Sequence, residues 1–242
     1  MPGPSLRALE WDSALFGRKM GVLEVDAGAH ADVERGLDAA RREGYAYLIC
    51  RPAVDDAAVI AALGAARFYL SDAGVTWTTE TAARRAGWTL PTDAGIVQAQ
   101  ERDVPALQDL IRMMFPDSRF YTDRFFSTDE AELLHREWIK NSVTGQAADL
   151  VLWKPNEGFV TLKRRGSTGE IVLIGVKERL RRQGLGAQLL AAAMAHFVSN
   201  GVTRVDVRTQ LRNLRASNFY QAHGFSLGRA DVTFSRIVSE FR

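Results

Sequence analysis

Arg181-Arg182-Gln183-Gly184-Leu185-Gly186 lies between an apolar run, Glu170–Val176, and a small-apolar stretch that begins at Ala187. Glycine lets a backbone take positive φ and approach a ligand closely. The first N–H groups of a helix have no internal partner and sit at the positive end of its dipole. A strand, a basic loop and a glycine-opened helix start therefore make a cradle for phosphate, with Arg181 and Arg182 adding charge beside it. The plain alternative is a strand-to-helix turn with a solvated basic loop. Other phosphate motifs fail on pattern. A P-loop needs a glycine pair followed by Lys-Ser/Thr, and the dinucleotide fingerprint needs a third glycine where Gln188-Leu189 stands.

A second set of residues follows. Asn213 and Tyr220 are seven positions apart. Two helical turns cover about 7.2 residues, so both project from one face. Ala216 and Ser217 keep that face low and leave room for a ligand arm. Each residue also has a purely structural role open to it. Asn213 suits an N-cap, and Tyr220 suits an amphipathic core position with its hydroxyl at the surface.

These residues need elements to hold them. Patterning predicts a strand over Gly21–Val25, a helix over Ala31–Glu43, a strand over Tyr45–Arg51, a helix over Asp55–Ala66 and a strand over Gly74–Glu80. The opening Leu9–Gly17 reads as turn-rich, and Ala82–Thr92, with Pro91, as a linker. After it come a strand at Ile96–Gln100 and a helix capped by Asp103 and opened by Pro105. A second helix covers Ser127–Val143, and a hairpin joins Asp149–Trp153 to Phe159–Lys163. The strand Glu170–Val176 leads to the helix Gly184–Asn200. Then come the strand Val202–Arg208, the helix Asn213–Ala222 and a strand-like tail, Phe225–Ile237. The expectation is an α/β N-terminal domain over residues 1–92 and an α+β domain with a largely antiparallel sheet over 93–242.

Composition narrows the classes. The 242 residues carry 31 Lys+Arg against 29 Asp+Glu, a net charge of +2, so no nucleic-acid or membrane partner is expected on charge. One cysteine, Cys50, and four separated histidines suggest neither a disulfide nor a metal site. Such cysteine usage suits a reducing cytoplasm, and the opening Met1-Pro2-Gly3-Pro4-Ser5 has no signal-peptide pattern. Oligomeric state, a homodimer included, is left open.

The segment Arg181–Gly186, in its strand-to-helix context, is similar to the pyrophosphate signature of the GNAT superfamily of N-acetyltransferases, Arg/Gln-x-x-Gly-x-Gly/Ala. Asn213, Ala216, Tyr220, Gly224 and Phe225 match that superfamily's second pattern, Asn-x-x-Ala-x-x-x-Tyr-x-x-x-Gly-Phe. The resemblance implies a GNAT fold and acetyl-CoA as cosubstrate. It implies CoA contacts from Ile174, Gly175, Val176, Arg181, Arg182, Gln183, Gly184, Leu185, Gly186, Ala187 and Asn213. It also implies that Tyr220 protonates the departing thiolate, a role open to a phenol that stays protonated near neutral pH.

Three further stretches resemble the dTDP-fucosamine acetyltransferase family: Leu9-Glu10-Trp11-Asp12-Ser13 with Phe16-Gly17, Asp117–Asp123, and Thr209-Gln210 before Asn213. That implies an acceptor amine on a dTDP-linked deoxy-aminosugar, a small-molecule partner. Arg119 (to a phosphate), Asp123 (to a sugar hydroxyl or the amine) and Gln210 are its expected contacts; a capping loop with a surface ion pair is the alternative for the first two. Amides around Gly175-Val176 are expected to bind the thioester carbonyl. Glu170 is a candidate base because it shares strand parity with Ile174 and Val176. A protein or amino-acid N-acetyltransferase and a non-catalytic acyl-CoA sensor remain as alternatives.

Overall fold

A computed structural model describes residues 4–84 and 95–239. Residues 85–92 of the expected linker, with the expected boundary at residue 92, lie outside the described residues. In chain order the first elements are β1 (Ser5–Ala8), α1 (Glu10–Phe16), β2 (Met20–Glu24), α2 (Asp32–Arg42), β3 (Tyr47–Cys50), α3 (Ala57–Ala65) and β4 (Tyr69–Glu80). Next come β5 (Val97–Gln98), α4 (Val104–Leu110), α5 (Arg119–Thr122), α6 (Thr128–Val143), β6 (Leu150–Lys154), β7 (Gly158–Arg165) and β8 (Thr168–Val176). The last are α7 (Leu185–Ser199), β9 (Arg204–Gln210), α8 (Leu214–Ala222) and β10 (Ser226–Ile237).

The chain divides into two compact units, each assembled from separated stretches. One runs to Gly74 and takes in Arg119–Glu130 and the chain from Ala230; the other comprises Val75–Ser118 and Ala131–Arg229. A single break near residue 92 does not describe this, because β4 and β10 each give residues to both units.

In the first unit, β1 pairs antiparallel with β2, and β2 pairs parallel with β3 across the α2 crossover. β10 runs antiparallel to β3, with Ser235 opposite Ile49. Val33, Gly36, Leu37 and Ala40 of α2 recur at helical spacing and are buried. They close a core with Leu23, Leu48, Leu63 and Phe68. The turn-rich opening turns out to contain α1, which ends at Gly17 in the left-handed region (φ 63°).

In the second unit the strand order is β4-β9-β8-β7-β6-β5. β6, β7 and β8 form an antiparallel meander, and β8 and β9 are parallel across α7. One core joins Leu185, Leu189, Met194 and Phe197 of α7 to Val160, Leu162, Ile171, Val205 and Val207. Another joins Leu107 of α4, Ile111 just after it and Ile139 of α6 to Val151, Trp153 and Phe159. The expected cap of α4 is different in detail. Asp103 turns its carboxylate back to the Gln100 amide (2.8 Å) and caps a single 3-10 turn, Glu101–Asp103, instead.

Candidate active site

The first turn of α7 offers what a phosphate requires. Its N-cap is Gly184 at φ 83°, and no side chain caps it. The first helical bond runs from Gln188 N–H to Gly184 O (3.1 Å), so the amides of Leu185, Gly186 and Ala187 have no helical acceptor. Arg182, exposed and at φ 61°, precedes the turn. Arg181 is tied down: its Nε donates to Val176 O (3.1 Å) and Nη1 lies 3.9 Å from Glu178. Gln183 donates to Arg179 O (3.1 Å) and so braces the loop. A side chain at Gly186 would begin 3.5 Å from Phe219 of α8 and 4.0 Å from Val176 of β8, so the α7 turn sits between those two elements.

β8 changes character along its length. Pairing with β9 runs from Thr168–Arg204 to Ile171–Val207 and stops. On its other edge Ile171 pairs with Leu162 while Leu173 pairs with Thr161, so Val172 is an extra residue, a β-bulge. Beyond the bulge, Lys177 N–H donates to Glu157 O (2.8 Å). Antiparallel alternation then turns the backbone groups of Gly175 toward β7 and those of Ile174 and Val176 toward the side β9 has left. The carbonyl of Val176 accepting from Arg181 agrees with that assignment. The outward amides are therefore those of Ile174 and Val176, and Gly175 serves a different purpose. A Cβ there would lie 2.1 Å from Met114 Sδ.

The bulge also corrects the parity assigned to Glu170. Glu170 pairs with Lys163, whereas Ile174 pairs with Val160 and Val176 with Gly158. Lys163 and Val160 project to opposite faces of β7, so Glu170 points away from the face that carries Ile174 and Val176. Ile174 and Val176 pack with the α7 core and Leu173 with the other, as the shift requires. Glu170 is paired with Arg165 (3.2 Å), about 13 Å along the strand from Ile174 at roughly 3.3 Å per residue. The structure does not bring it to the open edge.

α8 carries the second motif. Asn213 is its N-cap, with Oδ1 accepting from Ala216 N–H (3.1 Å), which leaves the amide nitrogen as a donor. The structural role and a ligand contact thus use different atoms. Tyr220 is buried in the core that holds Leu185 and Phe225, against which Ile174, Val176 and Phe219 pack. Burial alone pushes its phenol above the ordinary value, and no hydrogen bond to its hydroxyl is present among the described residues. Gln210 ends β9, half-buried, three residues before Asn213.

Two of the three expected acceptor contacts, Arg119 and Asp123, lie in the first unit. Asp123 is buried, and both its oxygens are engaged: Oδ2 by Tyr47 (2.5 Å), Oδ1 by Tyr69 (2.6 Å) and by Phe125 N–H (3.1 Å). The Tyr47 hydroxyl also meets Ser235 Oγ (2.7 Å), which donates to Ser71 Oγ (2.6 Å). Asp123 is thus the hub of a buried hydroxyl network. Burial, reinforced at Tyr69 by its bond to Asp123, drives both phenols upward. Arg119 is half-buried, donates to the Tyr47 hydroxyl (3.4 Å) and lies over Phe120. Asp12 of α1, for which the sequence suggested no role, is another charged group here. Burial raises its carboxyl, while Arg119 and then Arg51 oppose the shift. Cys50 is buried, which lifts its thiol to about 11. Among the described residues no His, Cys, Asp or Glu cluster could hold a metal, and no helix is long and apolar enough to cross a membrane.

Comparison with known proteins places this geometry. Residues 107–225 match the Acetyltransferase (GNAT) family, and the chain carries a GNAT acetyltransferase domain. It is 32% identical over 138 residues to a dTDP-fucosamine acetyltransferase of Escherichia coli O6:H1, covering 55% of this chain and 59% of that protein. It is 29% identical over 127 residues to the spore coat polysaccharide biosynthesis protein SpsD of Bacillus subtilis, covering 51% of this chain and 44% of that one. The fold is shared with a GCN5-related N-acetyltransferase from Sphaerobacter thermophilus (TM-score 0.62, 11% identity, 91% of this chain and 74% of that one).

Proposed function

We propose that this protein transfers an acetyl group from acetyl-CoA to a primary amine, the amino group of a dTDP-linked deoxy-aminosugar. One observation carries the reaction type: three amides at the start of α7 that have no partner among the described residues lie beside a β8 edge that β9 has left, next to a buried phenol whose hydroxyl has none among them either. The names of the two relatives, a fucosamine acetyltransferase and a polysaccharide biosynthesis protein, support the sugar acceptor.

The residues fit the cosubstrate. The amides of Leu185, Gly186 and Ala187, with Arg182 beside them, would hold its diphosphate. The Asn213 amide nitrogen and the outward backbone groups of Ile174 and Val176 would hold its arm. Acetyl-CoA supplies the activated acetyl group. The amides of Ile174 and Val176 are donors for the carbonyl oxygen as negative charge develops on it. Tyr220 holds a proton that burial keeps in place and would give it to the leaving sulfur as the C–S bond breaks; the attacking amine would lose its proton to water, and solvent would restore the phenol. Arg119 is proposed to hold a phosphate of the acceptor, with Gln210 a further acceptor contact. Asp123, occupied by two phenols, is proposed to shape that surface and not to touch the ligand.

The test is a donor and acceptor screen with purified protein. CoA thiol release with acetyl-CoA and dTDP-4-amino-4,6-dideoxygalactose, and none with peptides or free amino acids, is the expected result. Release with peptides alone would turn the assignment to a protein acetyltransferase, and absence of release with every amine would leave a CoA-binding sensor.

A further inference from the structure

A side chain of β7 bonds into the β8 bulge. Thr161 of β7 is fully buried, and its Oγ1 accepts from Leu173 N–H at 2.9 Å. Leu173 is the residue with which pairing resumes after the extra Val172. A bulge leaves ladder groups without their regular partners, and an amide buried without an acceptor costs about 1–3 kcal/mol. The Thr161 hydroxyl supplies an acceptor for the Leu173 amide at this position. No other residue type of this size offers both a β-branched fit to a strand and an acceptor oxygen.

The bulge decides which amides face outward. Before it, Ile171 turns its backbone groups to β9. Without the extra residue, alternation would carry that orientation on to Leu173 and Gly175. With it, Ile174 and Val176 take the outward position. A wholesale slip in the other direction is blocked elsewhere, because a one-residue shift would bring a side chain to the place where Met114 Sδ leaves no room for a Cβ. Gly175 therefore fixes the register, and Thr161 fixes where the backbone of Leu173 and Ile174 lies within it.

We propose that Thr161 is a positioning residue for acetyl transfer: its hydroxyl holds the β8 bulge and so aims the Ile174 and Val176 amides at the reacting carbonyl. The inference rests on the acetyl-transfer reading above. Thr161 is separate from the α7 cradle, so turnover and coenzyme affinity should part company when it is changed.

The test compares Thr161→Val, which keeps the shape and removes the oxygen, with Thr161→Ser, which keeps the oxygen. Thr161→Val should lower kcat by roughly 10-fold or more, short of the full loss of an oxyanion donor, while the Kd for CoA stays within about 3-fold. Thr161→Ser should recover kcat to within about 3-fold of the parent. Amide hydrogen exchange should rise at Leu173 in Thr161→Val and not in Thr161→Ser. Should Thr161→Val prove insoluble, Thr161→Ala against Thr161→Ser makes the same comparison. Unchanged kcat in the oxygen-free variant overturns the proposal. So does an equal fall in kcat and CoA affinity, or a Ser variant no better than the Val variant. A parent protein that acetylates no amine overturns the reaction itself, which is a different result from any of these.

Discussion

Replacing Tyr220 by Phe separates catalysis from stability with one atom. Tyr220 is 3% exposed, and its hydroxyl has no hydrogen-bond partner among the described residues. Deleting the oxygen leaves no orphaned donor or acceptor behind. The ring, with its contacts to Phe219 and Phe225, stays. That hydroxyl is not among the fully buried polar atoms left without a partner, so it keeps contact with solvent, and the Phe variant should match the parent to within about 1 kcal/mol. For a chain of this length that keeps Tm within about 4 °C of the parent in either direction. The loss of a general acid should lower kcat by about 10²-fold, or ~2.7 kcal/mol in the barrier. Thiol release gives kcat, calorimetry gives the CoA affinity, and a thermal melt gives Tm. The pH profile adds a sign check. Burial raises the phenol in the fold above its unfolded value of about 10, so its proton is held throughout the range below that value. Neither activity nor stability should be lost through Tyr220 until pH climbs past about 10. A Phe variant that turns over within about 2-fold of the parent, or one that melts several degrees lower, refutes the assignment.

Three other changes test neighbouring parts of the site. Gly186→Ala places its Cβ 3.5 Å from Phe219, an ordinary contact, so Tm should hold while CoA affinity falls by about 10-fold as close approach to the amides is lost. Asn213→Asp keeps an acceptor for Ala216 N–H and removes the amide donor, whereas Asn213→Ala removes both. The Asp variant should lose CoA affinity with little change in Tm, and the Ala variant should lose about 1 kcal/mol of stability besides. Asp123→Asn replaces one oxygen with a donor facing a phenol. It should cost about 2–3 kcal/mol by denaturant titration; a raised acceptor KM at unchanged stability would instead make Asp123 a ligand contact.

Local patterns made most elements readable. The apolar spacing of Val33, Leu37 and Ala40 gives α2, and the Ser127–Glu130 capping box, with bonds of 2.9 and 3.2 Å in both directions, opens α6. α1 escaped because Trp11-Asp12-Ser13 reads as turn residues and the helix is only 7 residues long. The division into units was not readable either. β4 and β10 each read as one strand, and nothing in a strand's own residues says that its two halves belong to different packing groups.

The same limit governs the site. The glycine-opened start of α7 and the Asn213 cap are local, since spacing within one segment fixes them, and the sequence pointed to both. The surroundings of Glu170 and Asp123 depend on side-chain partners 5 to 76 positions away or on pairing with another strand, which spacing within one segment does not reach. Counting alternate residues along β8 presumes an unbroken ladder. One unpaired Val172 reverses every face beyond it, and the cause lies on β7, in the Thr161 hydroxyl, and across the sheet, in Met114 over Gly175. Parity from one strand is therefore trustworthy only up to the first position where a neighbour can accept an extra residue. A buried threonine opposite a glycine-containing apolar run is the kind of pair that should prompt a search for one.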